Sequence, residues 1–395
     1  MNILYYCRKF IEKSRSFAAN HFNGARIDIF LFIAVLAVLV IAVSGRLYKE
    51  SNKPRSTDIF ISPQYETLFG RDIFGALIQE FEEQNPDLRI QTACGDGADI
   101  IFFDDSEIAE ITAASSLASL KPYIHSETRS GEWAIPLVFF MDLFFYNIDI
   151  LEAANCDRPP KTRAEFLAAA KAIAALNGVS PLATGLSRTD PMALRSGFYP
   201  WIWAAGGDLR TPGAENVTLS RAANEAIDFF ALLYNEGLLA PDCPEKTCEQ
   251  RLAEFAEGKA AMMAASSRDI PFLRHAAPTV NFGITAMPQT VPGQNHLGLT
   301  GIYAGISAGC ALPEEAWTFL AFIAGRKQIL EEALGAVPGS FPGAFPAAYI
   351  LNDPLYSKAW DIFEAADIVE YYPADPVEEE TSRIIREKLA EILKK

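Results

Sequence analysis

Two adjacent aspartates, Asp104 and Asp105, end the apolar run GADIIFFDD, and a third, Asp142, stands alone inside the denser run AIPLVFFMDLFFYN. Paired carboxylates suit glycoside hydrolysis, one as acid and the other as base or nucleophile. Neighbours on one strand point to opposite faces, however, so Asp104 and Asp105 do not make such a pair. No nucleophile elbow or Walker loop occurs, and the GDG of residues 95–97 reads as a turn, not as a phosphate cradle. The four histidines, His21, His125, His275 and His296, fall at no zinc spacing. The expectation is therefore a protein that is not an enzyme and needs no metal or other cofactor. Cys243 and Cys248, in PDCPEKTCEQ, are close enough to close a short disulfide loop in an oxidising compartment, but spacing alone leaves their pairing open.

The elements that must position these residues alternate in type. DIFISP, RIQTA and GADIIFFDD read as strands, and LFGRDIFGALIQEFEEQNP as a helix stopped by Asn85 and Pro86. Such alternation predicts an α/β lobe with a largely parallel sheet. Ligands in such sheets sit outside the carboxyl ends of the strands, where Asp104 and Asp105 fall. The run 134–147 is too short to span a membrane, for which about twenty apolar residues are needed. It is also apolar on every side, so it reads as a strand buried on both faces. Pro159 and Pro160 then punctuate the chain, and Thr162 with Glu165 forms a capping box before an amphipathic helix. The second half is richer in helix, with NFGITAMPQ and GIYAGISAG as strands and an amphipathic helix at PVEEETSRIIREKLAEILKK.

Composition narrows the partners. Half of the residues are hydrophobic, which excludes a disordered chain, and 395 residues are enough for two lobes. Residues 57–395 hold 25 basic against 47 acidic side chains, so nucleic acid is not an expected partner. The first 56 residues are basic instead, and within them Ile29 to Val43 is uninterruptedly apolar behind Arg8, Lys9, Lys13, Arg15 and Arg26. That is the positive-inside pattern of a signal anchor, with the N-terminus in the cytoplasm and the remainder outside. AVSG, with Ala42 and Ser44, offers the alternative of a cleaved, secreted form.

The order of the segments carries a resemblance. IPLVFFMDLFFYNIDILEAANCDRPPKTRAEFLAAAKAI is followed, in order, by WAAGGDL, FAEGKAAMM, NFGITAMP and PEEAWTFLAFI. From about Asp58 onward the chain resembles the extracellular solute-binding proteins of ABC transporters that include maltose-binding protein. The resemblance implies a two-lobed α/β periplasmic-binding-protein fold of type II with an interlobe cleft, preceded here by one N-terminal transmembrane helix. The implied organisation is a cytoplasmic head (1–26), the anchor (27–45), a linker (46–57), lobe 1 (58–139 with 288–325) and lobe 2 (140–287 with 326–395). The strand at 135–147 would then cross between the lobes beneath the cleft.

Carried over residue by residue, the resemblance puts Phe103, Asp104 and Asp105 in the cleft segment after the third strand. Asp142 lies on the crossing strand, Trp201 near an aromatic contact of lobe 2, and Tyr303 on a strand whose loop faces the ligand. Phe140 stands where many members have an acid, and Arg268 where maltose binders present a tryptophan. A sugar is the implied ligand, held by aromatic faces and polar side chains. An arginine in place of tryptophan keeps a carboxylate or phosphate as the alternative. Between Ile90 and Ile100 only QTACGDGAD replaces the helix usual in the family, which trims one wall of the cleft. The implied function is a membrane-tethered periplasmic or extracellular component of an ABC importer, closing on its solute by a hinge and delivering it to permease subunits. The alternative is a ligand-sensing or scaffolding protein of the same fold.

Overall fold

The computed structural model describes residues 56–93, 97–124, 132–211, 217–240, 242–336, 348–371 and 377–393. The first elements are β1 (Thr57–Ile61), α1 (Gln64–Phe69), α2 (Arg71–Gln84), β2 (Leu88–Thr92), β3 (Ile100–Asp104) and α3 (Ile108–Ala113). Next come β4 (Ile135–Asn147), α4 (Ile148–Ala153), α5 (Arg163–Ala174), β5 (Ser180–Ala183), α6 (Pro191–Gly197) and α7 (Tyr199–Trp203). They lead to α8 (Arg221–Asn235), α9 (Cys248–Ala256), β6 (Ala260–Ser266), α10 (Asp269–Ala276) and β7 (Phe282–Thr285). The chain continues through β8 (His296–Ile306), α11 (Pro313–Ala324), α12 (Lys327–Leu334), α13 (Ala348–Asn352), α14 (Pro354–Glu364), β9 (Ile368–Tyr371) and α15 (Glu378–Ile392).

Local chemistry sets several of these boundaries. The helix expected around residues 68–84 is two helices, because Gly70 turns the chain at φ 85°, a conformation that disfavours side chains. Asn85 ends α2 as expected. At the start of α5 half of the anticipated capping box forms: Glu165 N donates to Thr162 Oγ1 at 3.2 Å. The Glu165 carboxylate accepts one residue early, from Lys161 N at 2.7 Å, and pairs with Arg158 at 2.8 Å.

The strands run in the order β2-β1-β3-β8-β4-β6-β5, with β7 also on β4 and β9 also on β8. β4 changes partners along its length. Ile135 to Met141 pair antiparallel with β8, and Asp142 to Tyr146 pair antiparallel with β6. The strand is buried almost throughout, as its lack of a polar face requires. Met141 N donates to Ser267 Oγ at 3.2 Å and Ser267 N to Met141 O at 2.9 Å, which locks the point of exchange.

On one side of that point Ile59, Phe74, Phe81, Phe102 and Phe319 form the core of lobe 1, joined by Leu330 of α12, a stretch expected in lobe 2. On the other, Phe144, Phe166, Trp201, Phe230 and Ile385 form the core of lobe 2. A third cluster, with Phe139, Leu143, Phe145, Tyr303 and Trp360, runs along the crossing strands. Burying each such side chain contributes roughly 1.5–3 kcal/mol. The apolar segment 27–45 and its basic flank lie outside the described residues. Among the described residues no helix is long and apolar enough to cross a membrane.

Candidate functional site

A cavity of about 120 Å³ lies where β4 changes partners, walled by Asp104, Asp105, Phe140 and Asp142 from one direction and by α6, α9 and α10 from the other. Its floor is made by the crossing strands: Phe140 and Asp142 from β4, Thr300, Gly301 and Ile302 from β8. Asp142 faces Gly298 across the β4–β8 pair so closely that a Cβ there would collide with its Oδ2, so this glycine is required by space. Asp142 is 3% exposed and Phe140 2%, each showing only a small part of itself to the cavity.

The two aspartates at the end of β3 turn opposite ways. Asp104 accepts from Ser106 N at 2.7 Å and from Ser106 Oγ. Asp105 turns inward, accepting from Tyr303 Oη at 3.0 Å and from Gly301 N, and so ties β3 to β8. Tyr303 is fully buried, its ring stacked on Phe103 at 5.8 Å and edge-on to Phe139 at 6.0 Å. Phe103 and Tyr303 therefore stand behind the cavity wall and hold Asp105 in place.

Trp201 is placed elsewhere. It is fully buried in lobe 2 between Phe166 at 5.1 Å, Phe229 at 5.5 Å and Phe144 at 5.6 Å, with no face toward the cavity. The short helix α7 is buried on every side, which sends its aromatics into the core. Of the eight residues expected to touch ligand, the structure gathers Asp104, Asp105, Phe140, Asp142 and Arg268 around the cavity and puts Phe103, Trp201 and Tyr303 in the packing.

Arg268 enters from the residue before α10. Its guanidinium lies 5.3 Å from the centroid of Phe140 and covers that ring. The opposite wall holds residues that sequence reasoning missed: Met192, Arg195 and Ser196 on α6, Cys248 at the start of α9, and Asp269. One buried arginine organises them. Arg251, 1% exposed, donates to Ser196 O at 3.2 Å, to Ala264 O, and to Cys248 Sγ at 3.3 Å. Asp190 caps α6 through Met192 N at 2.9 Å and reaches Cys248 N at 2.7 Å, fastening the two helices together. Burial pushes the Asp269 carboxyl above its ordinary range, opposed by the charge of Arg251, the Ser266 N–H and the charge of Arg268. The one local signal for this wall was Thr247 with Gln250, a complete capping box that starts α9.

Cys243 and Cys248 are both free thiols, so the short disulfide loop does not form. Cys243 is wholly buried, which pushes its thiol up to about 12, whereas Cys248 opens α9 beside the cavity. Among the described residues no group of three or more His, Cys, Asp or Glu side chains is arranged to hold a metal ion.

Known proteins share this architecture. A family model described as bacterial extracellular solute-binding protein matches residues 74–329. A binding protein of Brucella abortus (strain 2308) is 25% identical over 197 residues, 48% of this chain and 46% of that protein. The chain thus spans about half the length of the curated relatives it matches. Among solved structures, the cyclic alpha-maltosyl-1,6-maltose binding protein from Arthrobacter globiformis has a TM-score of 0.69 at 17% identity, over 86% of this chain and 96% of that one. UgpB from Mycobacterium tuberculosis, solved in complex with glycerophosphocholine, has a TM-score of 0.67 at 18% identity, over 86% and 97% of the two chains. At such identities the likeness shows the fold alone.

Proposed function

The chain belongs to the bacterial extracellular solute-binding proteins, with their two-lobed α/β fold, and from that membership we propose that it is the extracytoplasmic solute-binding component of an ABC importer. The observation that carries this is the cavity itself, floored by the strands that pass between lobes and walled by both. A ligand there touches both lobes and thereby favours the closed arrangement over the open one. The volume is well below the roughly 300–1,000 Å³ of ordinary ligand pockets, so the lobes must part to admit solute.

Carbohydrate is the proposed ligand, with hydroxyls taken by Asp104, Asp105 and Asp142. The structural neighbour from Arthrobacter, named for a maltosyl ligand, supports the class. The apolar stretch from Ile29 to Val43 behind its basic flank supports membrane tethering, and the family supports a permease as partner. The change of partners along β4 between Met141 and Asp142 supports a lobe boundary near residue 140.

A thermal-shift screen of the full chain against sugars, polyols, sugar phosphates and oligopeptides tests this. Solute at a hundredfold over its Kd stabilises by about 2.7 kcal/mol, on the order of several degrees in Tm. A selective shift with saccharides is expected. A shift confined to oligopeptides would remove the carbohydrate assignment, and no shift with any solute would count against the importer role.

A further inference from the structure

Arg268 lines the cavity and reaches across it to the other lobe. It follows β6 in lobe 2, yet both acceptors of its guanidinium lie in lobe 1: Nη2 donates to Leu68 O at 3.2 Å and to Thr67 O at 3.4 Å. These carbonyls belong to the last turn of α1, where main-chain oxygens have no partner within the helix and carry the negative end of its dipole. A guanidinium suits them well, since its fork of N–H groups can serve two adjacent oxygens. Among the described residues Arg268 forms no ion pair; its guanidinium bonds to the opposite lobe and lies over the Phe140 ring, and its charge also acts on the neighbouring Asp269.

Resting on the reading of the cavity as a solute site, we infer that Arg268 is the closing latch of the cleft. It is a positioning residue that joins lobe 2 to the end of α1 and sets the balance between open and closed forms. Three contacts act together: the two carbonyls fix the lobes against each other, and the guanidinium lies over Phe140, the one aromatic side chain among the described residues that lines the cavity. Phe140 is thereby covered by the protein's own cation and is uncovered only when the lobes part. A residue acting this way changes affinity for every solute by the same factor, because it alters the fraction of molecules that are closed and not the contacts made to solute.

Nitroxide labels carried by a keto amino acid at Glu83 on α2 and Glu152 on α4, both exposed, report the distance between the lobes in the full chain. Arg268→Met keeps an unbranched apolar stem over Phe140 and removes the donors. Because Arg268 is exposed, the variant is expected to fold, and circular dichroism checks this. The expected result is a longer-distance population raised roughly tenfold over that of the parent chain, equivalent to about 1.4 kcal/mol, with Arg268→Lys between the two. Binding of maltose and of glycerol 3-phosphate, as neutral and anionic probes, should weaken by one factor common to both, set by the loss of closed molecules. An unchanged distance distribution overturns the latch. Weakening confined to the anionic probe also overturns it and assigns the guanidinium to the ligand. If neither probe binds the parent chain, the solute assignment is what suffers, and the distance measurement still decides the latch.

Discussion

The core of lobe 2 and the cavity between the lobes draw on the same strand four residues apart, yet they have opposite chemistry. Phe144 packs edge-on against Trp201 at 5.6 Å and Phe166 at 5.8 Å, in a cluster that solvent does not reach. Phe140 opens on a cavity that brings Asp104, Asp142 and Arg268 together with Met192, Cys248 and Ile302, and its ring lies beneath a guanidinium. The aromatic content of this chain is thus spent mainly on packing, and the cavity mixes charged side chains with apolar surface. Rigidity resides in the aromatic cluster, where contacts are many and undirected. At the cavity, directed hydrogen bonds hold side chains in place, Asp105 by Tyr303 and Gly301 and Arg268 by Thr67 and Leu68.

Substitutions in the two regions should separate these roles. The largest loss is expected from Trp201→Ala, about 3–5 kcal/mol in urea unfolding, because a large cavity opens in a close-packed cluster. Solute affinity of the molecules that remain folded should be unchanged; a lowered affinity would bring Trp201 back to the cleft. Tyr303→Phe removes the hydroxyl that donates to Asp105 and leaves a buried acceptor short of a partner, which costs about 1–3 kcal/mol. Here affinity should fall along with stability, since Asp105 loses one of the contacts that hold it at the wall. Gly298→Ala places a methyl against the Asp142 carboxylate and should cost about 1–3 kcal/mol through overpacking. The cost should shrink in the Asp142→Ala background, a coupling that a double-mutant cycle reads directly.

The smallest effect lies outside both regions and serves as their control. Arg274 on α10 holds Asp353, the cap of α14, through two bonds of 2.6 and 2.7 Å. Those bonds are the main reason the Asp353 carboxyl stays below its usual range. A depressed carboxylate contributes stability above its unfolded pKa of about 3.9 and loses that contribution as pH falls through the lower folded value. The pair is partly exposed and screened, so Asp353→Asn should cost only about 0.5–1 kcal/mol at pH 7, the asparagine still capping the helix. In unfolding followed from pH 7 to pH 2 the difference from the parent chain should vanish at the acid end, while the differences at Trp201 persist.

Much of the frame is legible along the chain because it rests on neighbours in sequence. The dense apolar run marks β4 as buried on both faces, Asn85 and Pro86 stop α2, and the Thr162 hydroxyl starts α5. Gly70 was the local signal passed over, since a glycine inside an amphipathic pattern breaks the helix when it takes a positive φ. Within the site, Asp104, Asp105, Phe140, Asp142 and Arg268 were reachable through strand ends and family order. Arg195, Ser196, Cys248 and Asp269 were not, because what brings them to the cavity is Arg251 reaching the β6 backbone and Asp190 reaching α9, contacts between residues more than ten positions apart.

Periodicity, capping and apolar density act through residues within a turn or a pleat of one another, so the strands, most helix ends and the acidic character of the exposed surface follow from the order of amino acids. Which aromatics face inward, which carboxylate meets which donor, and that Arg268 spans to Thr67 and Leu68 depend on how β4 divides its two edges between β8 and β6. That division is a matter of close packing among segments far apart in the chain, and only the assembled sheet decides it.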